Sequence, residues 1–206
     1  MSEPPPVLFV RGSIEALARP LVAVVGARDC SERGLEKASE ATSLLVSRGF
    51  GVASGGARGI DGKSHEIALS LGGCTVAVLG TGVDIVYPAA HKELFGQIEK
   101  NGALVSELLP GTPPAPKFFP TRNRIIAGLS LAVILIEGRR ISGSLSTARW
   151  AIKLGRPVAS PVQESNEGLG EATAILRELG GCVYADGNEL QEFLRPIRDG
   201  VFAGPA

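Results

Sequence analysis

The hydrophobic positions of this chain follow two alternating patterns. Short continuous apolar runs recur along it: LVAVV (21–25), GVAS (51–54), TVAVL (75–79), ALVSE (103–107) and LAVILIE (131–137). Such runs, bounded by turn residues, read as strands buried on both faces of a sheet. VLFV (7–10), Pro157–Ser160 and CVY (182–184) are shorter strand candidates. Between them the apolar residues space out at helical intervals. Over Ser31–Arg48, Leu35, Ala38, Ala41, Leu44 and Leu45 share one face, and Gly49 supplies the stop. Further helices are predicted over Asp61–Leu71, Ala89–Lys100, the run FFPTRNRIIAGL (118–129), the segment from SGSLST to near Gly155, residues 170–179, and onward from Asn188. A brief helical turn, IEALA, precedes Pro20.

Strands alternating with helices at this spacing predict repeated βαβ units. The fold class is therefore α/β: a Rossmann-like, doubly wound, mostly parallel sheet with helices on both faces. One domain is expected over 21–195, with a lead-in carrying a short strand over 1–20 and a tail over 196–206. Ligands of such sheets sit beyond the carboxyl ends of the strands. The Gly- and Ser-rich segments of this chain fall at that edge, strand after strand.

Composition narrows the function. With 206 residues, 44% of them hydrophobic, the chain is long enough to bury a sizeable core. Its 21 basic and 21 acidic residues exclude a histone-like or tail-driven nucleic-acid binder, so any basic surface must be assembled by folding. The balance is uneven along the chain, however. From Leu108 to Gln163, Lys117, Arg122, Arg124, Arg139, Arg140, Arg149, Lys153 and Arg156 face the single acid Glu137. Cations interleaved with aromatics, as in FFPTRNR, suit a flexible polyanion, with charge for phosphates and flat faces for bases. A solvated helix face followed by two core phenylalanines gives the same pattern. Cys30, Cys74 and Cys182 form no CxxC pair and lie far from His65 and His91, so neither zinc ligation nor a disulfide framework is expected. The polar, proline-rich MSEPPP start is neither a signal peptide nor a span, and the expected location is the reduced cytoplasm, away from membranes.

Four loops carry candidate chemistry. Gly26-Ala27-Arg28 is not the dinucleotide fingerprint but places an arginine beside backbone amides near a helix start. In Ser54-Gly55-Gly56-Ala57-Arg58-Gly59, adjacent glycines let N–H groups converge, a helix N-terminus adds its dipole, and Arg58 offers a fork for phosphate oxygens. The same segment also reads as a tight strand-to-helix turn, with Asp61 a helix N-cap rather than a catalyst. Ser142-Gly143-Ser144, with Ser146 and Thr147 behind it, opens a helix with free amides and hydroxyls suited to an anion or to capping alone. Gly80-Thr81-Gly82-Val83-Asp84 is flexible enough to approach a ligand, or is loop packing. An enzyme needs more: Glu107 and Glu137 are the best acid candidates, yet each can equally cap a loop or pair with Arg122, Arg124 or Arg139. His65 and His91 read as packed or surface histidines. With no Walker A lysine, G-x-S-x-G or H-E-x-x-H, the polar inventory is that of a binding protein without cofactor, metal or catalytic residue.

Taken in order, VAVVGAR, SGGARGIDGKSHEIAL, VAVLGTGVDIVYPAAHKELF, GALVSE, FFPTRNRIIAGLS, VILIEG and SGSLSTARWAIKLGRPV resemble the DNA-processing protein A (DprA/Smf) family over roughly residues 5–160. The resemblance implies an extended Rossmann-like domain that binds single-stranded DNA, acts as a homodimer and hands the strand to a RecA-type recombinase in natural transformation. By the same resemblance, Gly26, Arg28 and Ser54, Gly55, Gly56, Arg58 and Gly59 hold backbone phosphates. Lys117, Arg122, Asn123 and Arg124 line the same pocket, Phe119 stacks on a base, and Ser142, Gly143, Ser144 and Thr147 complete the phosphate contacts. The chain departs from the family in reading as a bare core without flanking domains. It also replaces the family's V-P-G turn and G-x-N-x-L-I-x-x-G-A block with ASPVQESNEGLGEATAILRELGG, a remodelled edge over about 161–185. The rival reading is a small-nucleotide sensor, or a ribohydrolase like the lysine-decarboxylase-like (LOG) family. That family's P-G-G-x-G-T-x-x-E signature has only ISGSLSTA as a counterpart, without the glutamate. A pure partner-assembly module is the third.

Overall fold

A computed structural model describes residues 4–165 and 167–198, so most of the tail expected over 196–206 lies outside the described residues. Eight strands form one sheet: β1 (Phe9–Gly12), β2 (Leu21–Val25), β3 (Gly51–Ser54), β4 (Thr75–Val78), β5 (Ala103–Ser106), β6 (Ala132–Leu135), β7 (Val158–Pro161) and β8 (Cys182–Tyr184). Seven α-helices accompany them among the described residues, the last of them following β8: α1 (Glu32–Ser47), α2 (Ile60–Ser70), α3 (Lys92–Asn101), α4 (Phe118–Leu129), α5 (Gly143–Lys153), α6 (Glu171–Glu178) and α7 (Gly187–Arg198).

The strand order is β1-β5-β4-β3-β2-β6-β7-β8. All pairings are parallel except β1 with β5, which makes one antiparallel edge. The first strand begins at Phe9, two residues later than the apolar run VLFV suggests. Its register is set by pairing Phe9 with Ser106 and Gly12 with Ala103, and Val7 is left 54% exposed. Gly12 has φ +103, and a Cβ there would lie 2.4 Å from the Gly102 carbonyl oxygen, so the strand ends on a position closed to side chains. The helix expected from Ala89 starts as a 3-10 turn over Ala89–His91 before α3.

β2 shows why the sheet is buried on both faces. Leu21, Ala23 and Val25 pack into one cluster with residues of α4, α5 and α6, while Val22 and Val24 pack into another with α1, α2 and α7. Successive side chains of a strand point to opposite faces, so only a run that is apolar throughout serves a two-sided core. Each fully buried valine or leucine here contributes about 1.5–3 kcal/mol.

The chain moves outward from β2 through β3 and β4 to β5 with α1, α2 and α3 on one face. It then returns over the other face along α4 to β6, on the opposite side of β2. Right-handed crossovers require the helices to change face when the direction of travel reverses. The reversal falls between β2 and β6, and the crevice beyond their carboxyl ends is where such sheets hold ligands. Among the described residues, no helix is long and apolar enough to cross a membrane.

Candidate functional site

A cleft of about 750 Å³ opens at that reversal point. The β2 loop and the β3–α2 loop are pressed together at its base. A Cβ on Gly26 would lie 2.5 Å from Ile60 Cγ1, and a Cβ on Gly59, whose φ is +74, would lie 2.4 Å from the carbonyl oxygens of Ala27 and Arg28. Only glycine permits both approaches. The contact turns Arg28 outward, where its guanidinium carbon sits 5.3 Å from the centroid of the Phe119 ring. Phe119 in turn packs against Tyr87, centroids 5.6 Å apart and planes at 41°. Gly80 makes room for it, since a Cβ there would meet Phe119 Cδ1 at 2.7 Å. The cleft mouth thus carries a cation and two partly exposed rings.

The glycine loop after β3 is organised around an internal anion. Asp61 is not the N-cap of α2; it lies inside the helix and reaches back, Oδ2 accepting from Gly55 N at 3.1 Å and Ala57 N at 3.4 Å. Two of the amides that the sequence offers to a phosphate are therefore already engaged. Arg122 of α4 lies on the other side of the same glycine, and a Cβ on Gly55 would fall 2.6 Å from its Nη2 and 2.7 Å from Asp61 Oδ2. Its Nη1 donates to Gly55 O at 2.7 Å and to Val78 O, and its Nε donates to Asn123 Oδ1 at 3.2 Å. Burial raises the Asp61 pKa against the opposing pull of Arg122 and the loop amides. Burial lowers that of Arg122 to about 10, so the guanidinium stays charged at neutral pH.

Asn123 carries the network across the cleft, donating from Nδ2 to Gly143 O at 2.9 Å at the start of α5. There Ser142 is the N-cap, its Oγ accepting from Leu145 N at 3.2 Å and lying 3.1 Å from Ser144 Oγ. The amides of Gly143 and Ser144 have no partner among the described residues. Arg139 and Ile141 stand exposed on the rim beside them. Free amides at a helix start, with an exposed cation nearby, suit an anion.

Of the residues singled out from sequence, Gly26, Arg28, Phe119, Arg122, Asn123, Ser142, Gly143, Ser144 and Thr147 line this cleft. Gly55 and Arg58 line a smaller cavity of about 190 Å³ that shares Arg28, Phe119 and Arg122 with it. The others are placed elsewhere. Ser54 is fully buried and gives its proton to Val24 O at 2.7 Å. Gly56 faces Phe95, and Gly59 is closed in by the β2 loop. Lys117 sits 5.2 Å over the Phe118 ring beside a separate hollow. Arg124 is held by Glu107 through two hydrogen bonds of 2.8 and 2.6 Å. Buried groups find internal partners first, and these were nearest.

The candidate acids are consumed in the same way. Glu107 pairs with Arg124, and Glu137 accepts from Ser31 N at 2.7 Å and Ser31 Oγ at 2.8 Å, fixing the start of α1. His65 is buried, Nδ1 2.7 Å from Thr75 Oγ1, and burial pushes its pKa down to about 3. His91 Nδ1 lies 3.1 Å from Gly56 O. Among the described residues no three His, Cys, Asp or Glu side chains group closely enough to hold a metal ion. Tyr87, Pro114, Ala115, Pro116, Arg139 and Ile141 also line the cleft, without having been expected there. Of these only Arg139 carried a signal, as one of the excess cations of the central segment.

The family model for DNA recombination-mediator protein A matches residues 1–194. The chain is 40% identical over 190 residues to DNA processing protein DprA of Streptococcus pneumoniae, covering 92% of this chain and 67% of that protein. It is 42% identical over 180 residues to protein Smf of Escherichia coli K12, covering 84% of this chain and 48% of that protein. The chain therefore spans two thirds of one relative and about half of the other. Among solved structures it superposes with a TM-score of 0.86 and 29% identity on DNA processing protein A from Helicobacter pylori, a structure concerned with that protein's single-stranded DNA binding mode. That match covers 95% of this chain and 90% of the other.

Proposed function

The chain belongs to the DNA recombination-mediator protein A family, and from that premise we propose that it binds single-stranded DNA in the β2–β6 cleft for recombination- or transformation-type DNA processing. Phosphates are held by the open amides of α5, by Arg28 and by Arg139, and bases stack on Phe119 and Tyr87. The observation that carries this reading is the Arg28 guanidinium set over the Phe119 ring at the mouth of a cleft whose far wall is the N-terminus of α5. A cation and a ring together serve both halves of a nucleotide. The relative from Helicobacter pylori, with its single-stranded DNA binding mode, supports the choice of polymer. Homodimerisation, hand-over of the strand to a RecA-type recombinase, and residues 21–195 as one binding domain belong to the same proposal. The protein acts as a binder rather than a hydrolase, the strand-end carboxylates having structural partners.

The test is fluorescence anisotropy with labelled oligo-dT at several salt concentrations, with mononucleotides as competitors. Binding that needs the oligonucleotide and weakens with a log–log slope of about −0.7 per phosphate contacted supports the proposal. The cleft has the volume of a small-ligand site. Failure of oligo-dT at low salt, together with binding of a free nucleotide, would replace the DNA reading by a small-nucleotide sensor.

A further inference from the structure

The remodelled edge over about 161–185 keeps a strand–helix–strand course, as the end of β7, α6 and β8. The part that bears on the site lies between β7 and α6. Gln163 reaches back to the end of β6, its Nε2 donating to Ile136 O at 2.6 Å. A short 3-10 turn over Gly168–Gly170 follows, closed by Gly170 N donating to Glu167 O at 3.0 Å. A Cβ on Gly170 would lie 1.7 Å from Ser165 O, so the turn closes only on glycine.

The turn and the start of α6 grip the loop that runs from β6 to α5. Gly138 N donates to Leu169 O at 2.7 Å, Ala172 N to Gly138 O at 2.9 Å, and Arg140 N to Glu171 Oε2 at 2.7 Å. These bonds reach Gly138 and Arg140, on either side of Arg139. The amides of Arg139 and Ile141 themselves have no partner among the described residues. Arg139 and Ile141 are the side chains this loop brings to the cleft, and Ile141 is 96% exposed. By charge alone, Glu171 should pair with Arg139 or Arg140. It takes a backbone amide instead, and among the described residues neither guanidinium makes an ion pair. The acid therefore fixes the loop while leaving both cations for another anion. A loop that must order when it binds loses affinity by doing so, and a bond made beforehand removes that loss. Resting on the DNA-binding reading above, we propose that Glu171 is a positioning residue. Its bond to Arg140 N holds Arg139 and Ile141 at the rim before a strand arrives, and the segment from Gln163 to Glu171 is the strut behind that loop.

The experiment compares Glu171→Ala and Glu171→Gln with wild type, by oligo-dT anisotropy well below the melting temperatures and by amide hydrogen exchange. The carboxamide oxygen of glutamine still accepts from Arg140 N but carries no charge. Glu171→Gln should bind within about twofold of wild type. Glu171→Ala should bind about fivefold more weakly, the scale of ordering one long side chain on binding. Tighter binding by both variants overturns the inference, because the acid would then act only by repelling the strand. So does an equal loss in both, or wild-type affinity in Glu171→Ala. Hydrogen exchange requires neither a variant nor DNA: in the wild-type protein the Arg140 amide should exchange more slowly than that of Ile141. Equal rates at the two amides overturn the inference on their own. Failure of the wild-type protein to bind oligo-dT would remove the DNA reading and the inference with it, a failure told apart by an Arg140 amide that still exchanges slowly.

Discussion

Arg124 and Glu107 meet fork to fork, Nη1 to Oε1 at 2.8 Å and Nη2 to Oε2 at 2.6 Å, with their side chains only 9% and 16% exposed. The pair joins the first turns of α4 to the end of β5 and sets the angle at which α4 begins its return across the sheet. Arg124 is thus a structural cation, although it belongs to the Arg-Asn-Arg triplet that marks the basic centre of the sequence. Arg124→Ala strands Glu107 in a poorly solvated place. It should cost about 3 kcal/mol in urea unfolding while the log–log salt slope of oligo-dT binding stays at its wild-type value. A shallower slope would return Arg124 to the phosphate contacts.

Arg28 and Phe119 should separate by their salt dependence. Arg28→Ala removes a cation, so affinity should fall for every oligonucleotide sequence and the slope should become shallower by about 0.7. Phe119→Ala removes a ring worth about 1–3 kcal/mol per stacked base and leaves the slope alone. Because the Arg28 guanidinium rests 5.3 Å from that ring, the double variant should lose less than the sum of the two. Strict additivity would mean that the pair is not gripping one nucleotide together.

The fold was legible because its signals are local. The all-apolar β2, the serine N-cap at Ser142 and the position of each glycine turn at a strand's carboxyl end are written in consecutive residues. The site was half legible for the opposite reason. Eight cations between Leu108 and Gln163 looked like one basic face, but only Arg122 and Arg139 of them reach the cleft. Arg124 is spent on Glu107, and Lys117 lies beside a different hollow. Asp61 was readable as a cap because carboxylates at helix starts usually bond forward. Here it bonds backward to Gly55 and Ala57, and its cationic neighbour comes from α4, brought in by a crossover no local pattern encodes. Pro114 arrives at the cleft in the loop that opens the same crossover, while Tyr87 comes from the loop between β4 and α3 and Ile141 from the loop between β6 and α5.

Glu137 ends β6 but acts on α1. It is 2% exposed and takes both the amide and the hydroxyl of Ser31, the residue whose Oγ accepts from Gly34 N at 2.9 Å. A Cβ on Gly34 would lie 2.5 Å from its carboxyl carbon. Glu137→Ala leaves two half-buried donors of Ser31 without partners and should destabilise the protein by about 1–3 kcal/mol for each one that stays dry. Oligo-dT affinity, measured well below the melting temperature, should be unchanged. A selective loss of binding without loss of stability would make Glu137 part of the site.

His65 should make the protein acid-sensitive well above the carboxylate range. Thr75 Oγ1 donates its proton to Val52 O at 2.9 Å, so the 2.7 Å contact with His65 Nδ1 requires Nδ1 to be the donor. Nε2 then holds a bare lone pair, sealed and without a partner. Burial, with smaller contributions from His91 and Arg122, depresses the pKa from 6.5 to about 3, so the folded protein keeps the ring neutral while the unfolded chain protonates it near 6.5. The unfolded state therefore binds the extra proton throughout that window. Stability from this residue is complete above pH 6.5 and falls by about 1.4 kcal/mol per unit as pH drops toward 3. His65→Gln cannot titrate, and the carboxylates common to both proteins cancel in the difference. The stability gap between wild type and His65→Gln, measured by urea unfolding, should accordingly shift by about 2 kcal/mol against the wild type between pH 6.5 and pH 5. A gap that holds constant over that interval would mean that His65 titrates alike in the folded and unfolded chains, and that the lone pair on Nε2 has found water.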